Sequence, residues 1–106
     1  MSSSFRRFEI LLPLQFNDGR LVPDELIVDT VLELREKFGA VSCETQTIRG
    51  IWTQDAEVYR DDLIRVFVDT PDNPPSKDFF IELKERLKQS FGQLDIWMTT
   101  YPIEVL

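Results

Sequence analysis

The chain alternates between two hydrophobic periods. Where apolar residues occupy every second position, the pattern predicts a strand with one buried face, and where they recur three or four positions apart, it predicts an amphipathic helix. The strand-like segments are residues 7–15, 40–52, 59–69 and 94–101, and the helical segments are residues 23–38 and 76–91. The predicted order is therefore β-α-β-β-α-β, which is a split β-α-β unit that occurs twice.

Each predicted helix ends at a Phe-Gly pair that precedes a strand, Phe38-Gly39 and Phe91-Gly92. Right-handed crossovers place both helices on one side of the sheet, which predicts four antiparallel strands in the spatial order 4-1-3-2. On these two helix-Phe-Gly-strand units, the whole chain resembles the ferredoxin-like (α/β-plait) superfamily. The resemblance implies an α+β sandwich in one domain, residues 1–106, and we expect a small bacterial family within it. Because the superfamily hosts many functions, it implies no catalytic residue.

The composition excludes several chemistries. The sequence contains no histidine, which excludes His-dependent nucleophilic catalysis and His-ligated zinc. Its single cysteine, Cys43, excludes an internal disulfide and Cys-rich metal sites. A net charge of −7 disfavours nucleic acid and anionic membranes as partners. We therefore expect no cofactor, no metal, no nucleic-acid partner and no membrane partner, and we expect Cys43 to be a buried, inert thiol.

The predicted compartment is the cytoplasm. The first seven residues lead directly into an alternating strand and lack the apolar segment of a secretion signal. No stretch approaches the length of a membrane-spanning helix. Cysteine usage fits a reducing environment.

The sheet face opposite the helices is the predicted functional surface. The strand phases assign it many apolar and aromatic side chains, and contiguous exposed apolar surface marks interaction sites. We therefore expect a binding module that self-associates through this face as a homodimer or binds a protein partner, in line with the sheet-to-sheet dimers that the resemblance implies. The candidate interface or ligand residues are Leu11, Leu63, Arg65, Phe67, Trp97, Tyr101, Tyr59 and Trp52.

Two alternatives to this interpretation stay open. In one, Tyr59, Arg65, Trp97 and Tyr101 line a cleft between subunits, where Arg65 binds an anion and the rings stack on a planar ligand. The chain would then be a small-molecule enzyme or a ligand sensor of the dimeric α/β-barrel type, although the absence of histidine favours binding over catalysis. In the other, the C-terminal tail or the loop around Trp52 folds over the face of a monomer.

Four acidic residues cluster in the predicted hairpin between the middle strands, namely Asp55, Glu57, Asp61 and Asp62. Carboxylate oxygens are the ligands that Mg²⁺ and Ca²⁺ prefer. However, their spacing does not match a calcium-binding loop, and a solvated acidic loop is the favoured interpretation.

Overall fold

The computed structural model describes residues 4–106, so residues 1–3, part of the segment searched for a secretion signal, lie outside the described residues. Helices and strands alternate along the chain in the predicted order, with one additional short strand. The elements are β1 (Phe5–Pro13), α1 (Asp24–Phe38), β2 (Ser42–Cys43), β3 (Ile48–Gln54), β4 (Glu57–Pro71), α2 (Pro74–Ser90) and β5 (Met98–Ile103).

The five strands form one antiparallel sheet in which β4 is central. β1 lies between β5 and β4, while β2 and β3 both pair with the far side of β4. The α+β class is confirmed, but the strand count differs from the predicted four because the second predicted strand is divided. From Cys43 to Ile48 the chain advances five residues, whereas β4 advances three, from Val66 to Leu63. The two additional residues leave the ladder between β2 and β3, as a bulge does.

Both helices pack on one side of the sheet. The phenyl ring of Phe80 on α2 stacks on Phe8 of β1, with the ring centroids 4.1 Å apart. Leu34 is the fully buried apolar residue of α1. The strands contribute alternate residues to the same core, as period two requires. The buried apolar residues of β1 and β4 are Phe8, Ile10, Leu12, Ile64, Val66 and Val68, and those of α2 are Phe80, Leu83 and Leu87.

The helix ends follow local capping chemistry. Helix α1 ends at Gly39, whose φ of 86° suits glycine and whose N–H donates to the carbonyl of Arg35. Helix α2 is capped by Asn73, whose side chain accepts the N–H of Ser76 at 2.9 Å. Within residues 4–106, no helix combines the length and the apolar character needed to cross a membrane.

A hairpin extends beyond the end of β1. Pro13, the last residue of β1, pairs with Leu63, so the part of β4 that precedes Leu63 has only β3 as its neighbour. We call residues 49–61 the hairpin arm. Its two-residue turn, Asp55-Ala56, has φ values of 51° and 67°, the left-handed conformation that matches the twist of a hairpin. The arm contributes to an elongated outline of 49 × 29 × 25 Å.

Candidate functional site

We call the side of the sheet that faces away from α1 and α2 the open face. Residues that pair across neighbouring strands lie on the same side of a sheet, so the register identifies its members. All eight residues that the sequence analysis singled out lie on this face or at its margin. They fall into three groups: Arg65, Phe67 and Tyr101 in the middle, Leu11, Leu63, Trp52 and Trp97 around a groove, and Tyr59 on the hairpin arm.

A network of ionic side chains occupies the middle of the open face. Arg65 donates from one terminal nitrogen to Glu9 and from the other to Glu44, which lie on either side of β4. The hydroxyl of Tyr101 also donates to Glu9, at 2.5 Å. The hydrogen bond from Arg65 is the largest cause of a pKa of Glu9 below its ordinary value. Because Arg65 already binds two carboxylates, its setting differs from that of an unoccupied anion-binding group.

The aromatic ring of Phe67 is covered by cations. The guanidinium carbon of Arg65 lies 4.4 Å from the ring centroid, and that of Arg7 lies 4.5 Å from it. Both geometries are those of cation–π contacts. Arg7 is itself held by Asp69 through two hydrogen bonds of 2.7 and 3.0 Å. The middle of the open face is therefore polar, in contrast to the continuous apolar area that strand periodicity predicted.

An apolar groove of about 530 Å³ lies beside this network, toward the hairpin arm. Leu11 and Leu63 from the central strands and Ile96 from the segment before β5 contribute apolar lining. Two tryptophans from opposite edges of the sheet also line it, Trp52 on β3 and Trp97 next to β5. Trp97 is 65% exposed, which is unusual for so large an apolar side chain. The groove is thus the apolar part of the open face.

The position of Trp52 is fixed by two contacts. Its indole ring stacks on the ring of Tyr59, with centroids 4.4 Å apart and an interplanar angle of 16°. Its Nε1–H donates to the carboxylate of Asp61 at 2.7 Å. Tyr59 lies on the arm, where burial and the nearby Glu57 raise its pKa. Trp97 lines the groove, whereas Tyr59 and Arg65 are not among the residues that line it.

Five polar residues line the groove, and none of them was selected from the sequence as a site residue: Thr53, Gln54, Asp61, Gln93 and Asp95. Asp61 was noted only as part of an acidic hairpin, whereas Asp95 belongs to the segment 94–101 that was predicted as strand and Gln93 directly precedes it. The first part of that segment, residues 94–97, is irregular, and the carboxylate of Asp95 accepts the N–H of Ile96 at 2.9 Å. Asp95 follows the Gly92-Gln93 pair just after the end of α2. This aspartate was the signal in the sequence for an irregular segment, because Asp is frequent in turns. The carboxylate of Asp95 also pairs with Lys84, at 3.2 Å.

The acidic residues of the hairpin do not converge. Asp61 points to the open face, where it binds Trp52, while Asp62 faces the opposite side and accepts hydrogen bonds from Gln15 and Arg49. In the described part of the chain, no three His, Cys, Asp or Glu side chains are grouped so as to hold a metal ion. The arrangement gives these acids separate structural contacts.

The prediction that Cys43 is buried was wrong. Cys43 pairs with Val66 and therefore lies on the helix side of the sheet, as expected. It is nevertheless exposed, because β2 is a two-residue edge strand whose residues α1 and α2 leave open to solvent. Partial burial and the charge of Glu44 raise the pKa of its thiol, so the reactive thiolate is scarce near neutral pH.

The alternative in which the tail covers the open face does not match the structure. The chain continues past β5 with Val105 and Leu106 both exposed to solvent. Trp52 lies in β3, as part of the groove rather than in a loop above the face. The groove and Trp97 are consequently accessible in the isolated chain.

Comparison with known proteins identifies the class of fold. No protein-family model and no curated protein matches the sequence. Several solved structures do match over nearly the whole chain, and they are small α+β chains of the ferredoxin-like kind. A phage SAM lyase in complex with S-methyl-5′-thioadenosine has a TM-score of 0.67 and 16% identity, and the match covers 99% of this chain and 92% of that one.

Two divalent cation tolerance proteins show the same likeness. CutA1 from Thermus thermophilus has a TM-score of 0.64 and 19% identity, over 95% of this chain and 85% of that one. CutA1 from Ehrlichia chaffeensis has a TM-score of 0.58 and 9% identity, over 100% of this chain and 87% of that one. At such identities the likeness shows a shared fold, and function has to be argued from the residues of the site.

Proposed function

We propose that this protein is a self-associating binding module. The open face of one copy packs against a second copy, and the groove forms a small-molecule site beside that contact. The observation that carries the proposal is Trp97, a 65% exposed indole next to an apolar groove on a sheet face that neither helix covers. Tryptophan is enriched among the residues that dominate the energetics of protein interfaces.

The ionic network would orient the two copies. Charges of both signs alternate across the middle of the open face, with Arg7 and Arg65 beside Glu9 and Asp69. A two-fold contact brings the same surface of both copies together, so such a face can be complementary to itself. Charged groups at an interface contribute more to orientation and specificity than to affinity, whereas the apolar margin around Trp97 supplies the affinity.

Sedimentation velocity over about 1–100 μM, the range in which many weak dimers form, tests self-association. We expect the wild-type chain to sediment as an oligomer at the upper end, and Trp97→Asp to sediment as a monomer because it places a charge in the contact. Leu94→Asp is the matched control, since Leu94 is also exposed, at 48%, but does not line the groove. A wild-type chain that is monomeric throughout, or equal effects of the two variants, overturns the proposal.

A second candidate function is binding of a neutral nucleoside in the groove. Two observations favour it: the groove combines tryptophans with hydrogen-bond acceptors, and a phage SAM lyase of the same fold was solved with S-methyl-5′-thioadenosine. The adenine ring would stack on an indole, and the ribose hydroxyls would donate to Asp61 or Asp95.

Isothermal titration with S-methyl-5′-thioadenosine tests this candidate. We expect saturable binding at one site per chain that Trp97→Ala weakens. Tyr101→Phe, which alters the open face outside the groove, should bind as the wild-type chain does. Absence of heat at millimolar ligand, or equal losses in both variants, would exclude the groove as a nucleoside site.

A further inference from the structure

We infer that the groove selects a small organic cation that carries a planar ring. The inference rests on the proposed binding role of the groove and specifies the charge of its ligand. Among the side chains that line the groove there are two carboxylates, Asp61 and Asp95, and no lysine or arginine. A ligand that enters it therefore meets negative charge and aromatic surface together.

The two carboxylates differ in how far their charge is compensated. Asp95 is paired with the ammonium group of Lys84 at 3.2 Å. Asp61 accepts a hydrogen bond from the neutral indole of Trp52, and no lysine or arginine of residues 4–106 forms an ion pair with it. A positive ligand group next to Asp61 would gain a charge-assisted contact without displacing a cation of the protein.

Asp61 is also held in place before any ligand arrives. The hydrogen bond from Trp52 orients the carboxylate, and the stacking of Trp52 on Tyr59 orients the indole in turn. A group that is already ordered loses little conformational entropy on binding, which favours affinity. The carboxylate of Asp61 is thus ordered on one side of the groove, unlike a carboxylate in a solvated acidic loop.

The aromatic lining adds to the preference for a cation. The face of an indole ring attracts positive charge more strongly than that of any other side chain, and the attraction grows when water is excluded. Trp97 offers an exposed indole, and Leu11 and Leu63 supply apolar lining beside it. The net charge of −7 also steers cations toward the protein.

An anionic ligand is disfavoured for the same reasons. Arg65, the cation that the sequence analysis assigned to anion binding, already binds Glu9 and Glu44. A phosphate or carboxylate in the groove would face the uncompensated charge of Asp61. The inferred ligand charge is thus opposite to that of the alternative drawn from the sequence, in which Arg65 binds an anion.

Three probes of one ring size and different charge test the inference. They are 1-methylquinolinium, 2-methylquinoline and quinoline-2-carboxylate, titrated at pH 8 with calorimetry and tryptophan fluorescence as readouts. We expect the cation to bind at least about tenfold more tightly than the neutral ring, a ratio that Coulomb attraction to Asp61 and contact with an indole face supply together. The anion should bind more weakly than the neutral ring.

Variants locate the selectivity. Asp61→Asn retains an oxygen that can accept the Trp52 hydrogen bond but removes the charge, so it should weaken the cation about tenfold and leave the neutral ring nearly unchanged. Asp78→Asn, an exposed position on α2, makes the same change in net charge on the opposite side of the sheet and should change neither. Trp97→Leu keeps an apolar side chain but removes the indole face, and it should weaken the cation more than the neutral ring.

Sedimentation of each variant separates this inference from the proposed function. Equal affinities for the three probes, tighter binding of the anion, or absence of binding by all three overturns the inference, whatever the oligomeric state. Selective cation binding by a monomeric wild-type chain supports the inference while it overturns self-association. A cation preference that is undiminished in Asp61→Asn also overturns it, because Asp61 would then contribute nothing to the selection of charge.

Discussion

Replacement of Arg65 by leucine tests the ionic network of the open face. The substitution removes the guanidinium that binds Glu9 and Glu44 and that lies 4.4 Å from the ring centroid of Phe67. Leucine retains an aliphatic side chain at this position of the strand, so aliphatic packing against Phe67 changes little. The main consequence is that the carboxylate of Glu9 loses its cation while it stays partly covered.

The expected loss of stability follows from the exposure of the pair. The side chains of Arg65 and Glu9 are 22% and 19% exposed, so the pair lies between the surface and the buried limits. Exposed ion pairs contribute roughly 0–1 kcal/mol, whereas removal of one partner from a buried pair costs about 3–5 kcal/mol. We expect Arg65→Leu to lower the free energy of unfolding at pH 7 by about 2 kcal/mol, including the lost cation–π contact.

The loss should depend on pH in one direction. The pKa of Glu9 is lowered in the folded wild-type chain from its ordinary value of 4.5, chiefly by the Arg65 hydrogen bond. A carboxyl group with a lowered pKa contributes stability above its unfolded pKa, and this contribution disappears as pH falls through the folded pKa. Since Arg65→Leu removes the main cause of the lowering, the difference between the two chains should be smaller at pH 3 than at pH 7.

Urea denaturation followed by circular dichroism measures both quantities. Arg49→Leu is the control, because the Arg49 side chain is 78% exposed and lies 3.4 Å from Asp62, so it should cost less than about 0.5 kcal/mol. A loss in Arg65→Leu that equals the control, or that is the same at both pH values, would refute the reasoning about partial burial.

Three further predictions concern the fold. Leu34→Ala, at a fully buried position of α1, should lower the free energy of unfolding by about 3 kcal/mol in urea, and a loss under about 1 kcal/mol would contradict the packing described. Asn73→Ala should lower the free energy of unfolding by about 1 kcal/mol and lower the melting temperature, because it removes the acceptor for the N–H of Ser76. Asn73→Ser should retain most of the wild-type stability. One thiol per chain, Cys43, should react with a disulfide reagent in the native protein, slowly at pH 7 and faster as pH rises, and a reaction that needs denaturant would contradict its exposure.

Hydrophobic periodicity was enough to predict much of the fold. Alternation along β1 placed Phe8, Ile10 and Leu12 on the helix side, and the helical period placed Leu34 in the core. The Phe38-Gly39 pair marked the end of α1, because a left-handed residue at that position is nearly always glycine. These features depend on residues close in sequence, which is why a pattern could reveal them.

The division of the second strand and the polarity of the open face depend on distant residues. Arg65 and Glu9 are 56 positions apart, and their contact requires the diagonal neighbourhood of β1 and β4. Periodicity assigned both residues to the open face but could not indicate that they neutralise each other. The two extra residues between Cys43 and Ile48 are likewise visible only against the register of β4.

The groove was also only partly predictable from the sequence. Leu11, Leu63 and Trp97 were placed on the functional face by strand phase, whereas Trp52 was a candidate without an assigned phase. The structure brings all four around one groove. Part of the polar lining of that groove comes from Asp95, in an irregular segment that alternating apolar residues had made resemble a strand. The Asp95 carboxylate accepts the N–H of Ile96, and whether a backbone N–H forms such a local hydrogen bond or one in the sheet is not decided by composition.

The turn of the hairpin arm has a consequence for its motion. Ala56 has a φ of 67°, where an alanine is disfavoured by roughly 1 kcal/mol relative to a glycine. Ile51 and Val58 on the arm are more than half exposed, so solvent reaches the arm on the side where helices protect the rest of the sheet. Amide protons of the arm should therefore exchange with deuterium well before those of the protected core. A ligand that contacts Trp52 should slow this exchange. Amide exchange in the hairpin arm would therefore report whether the groove is occupied.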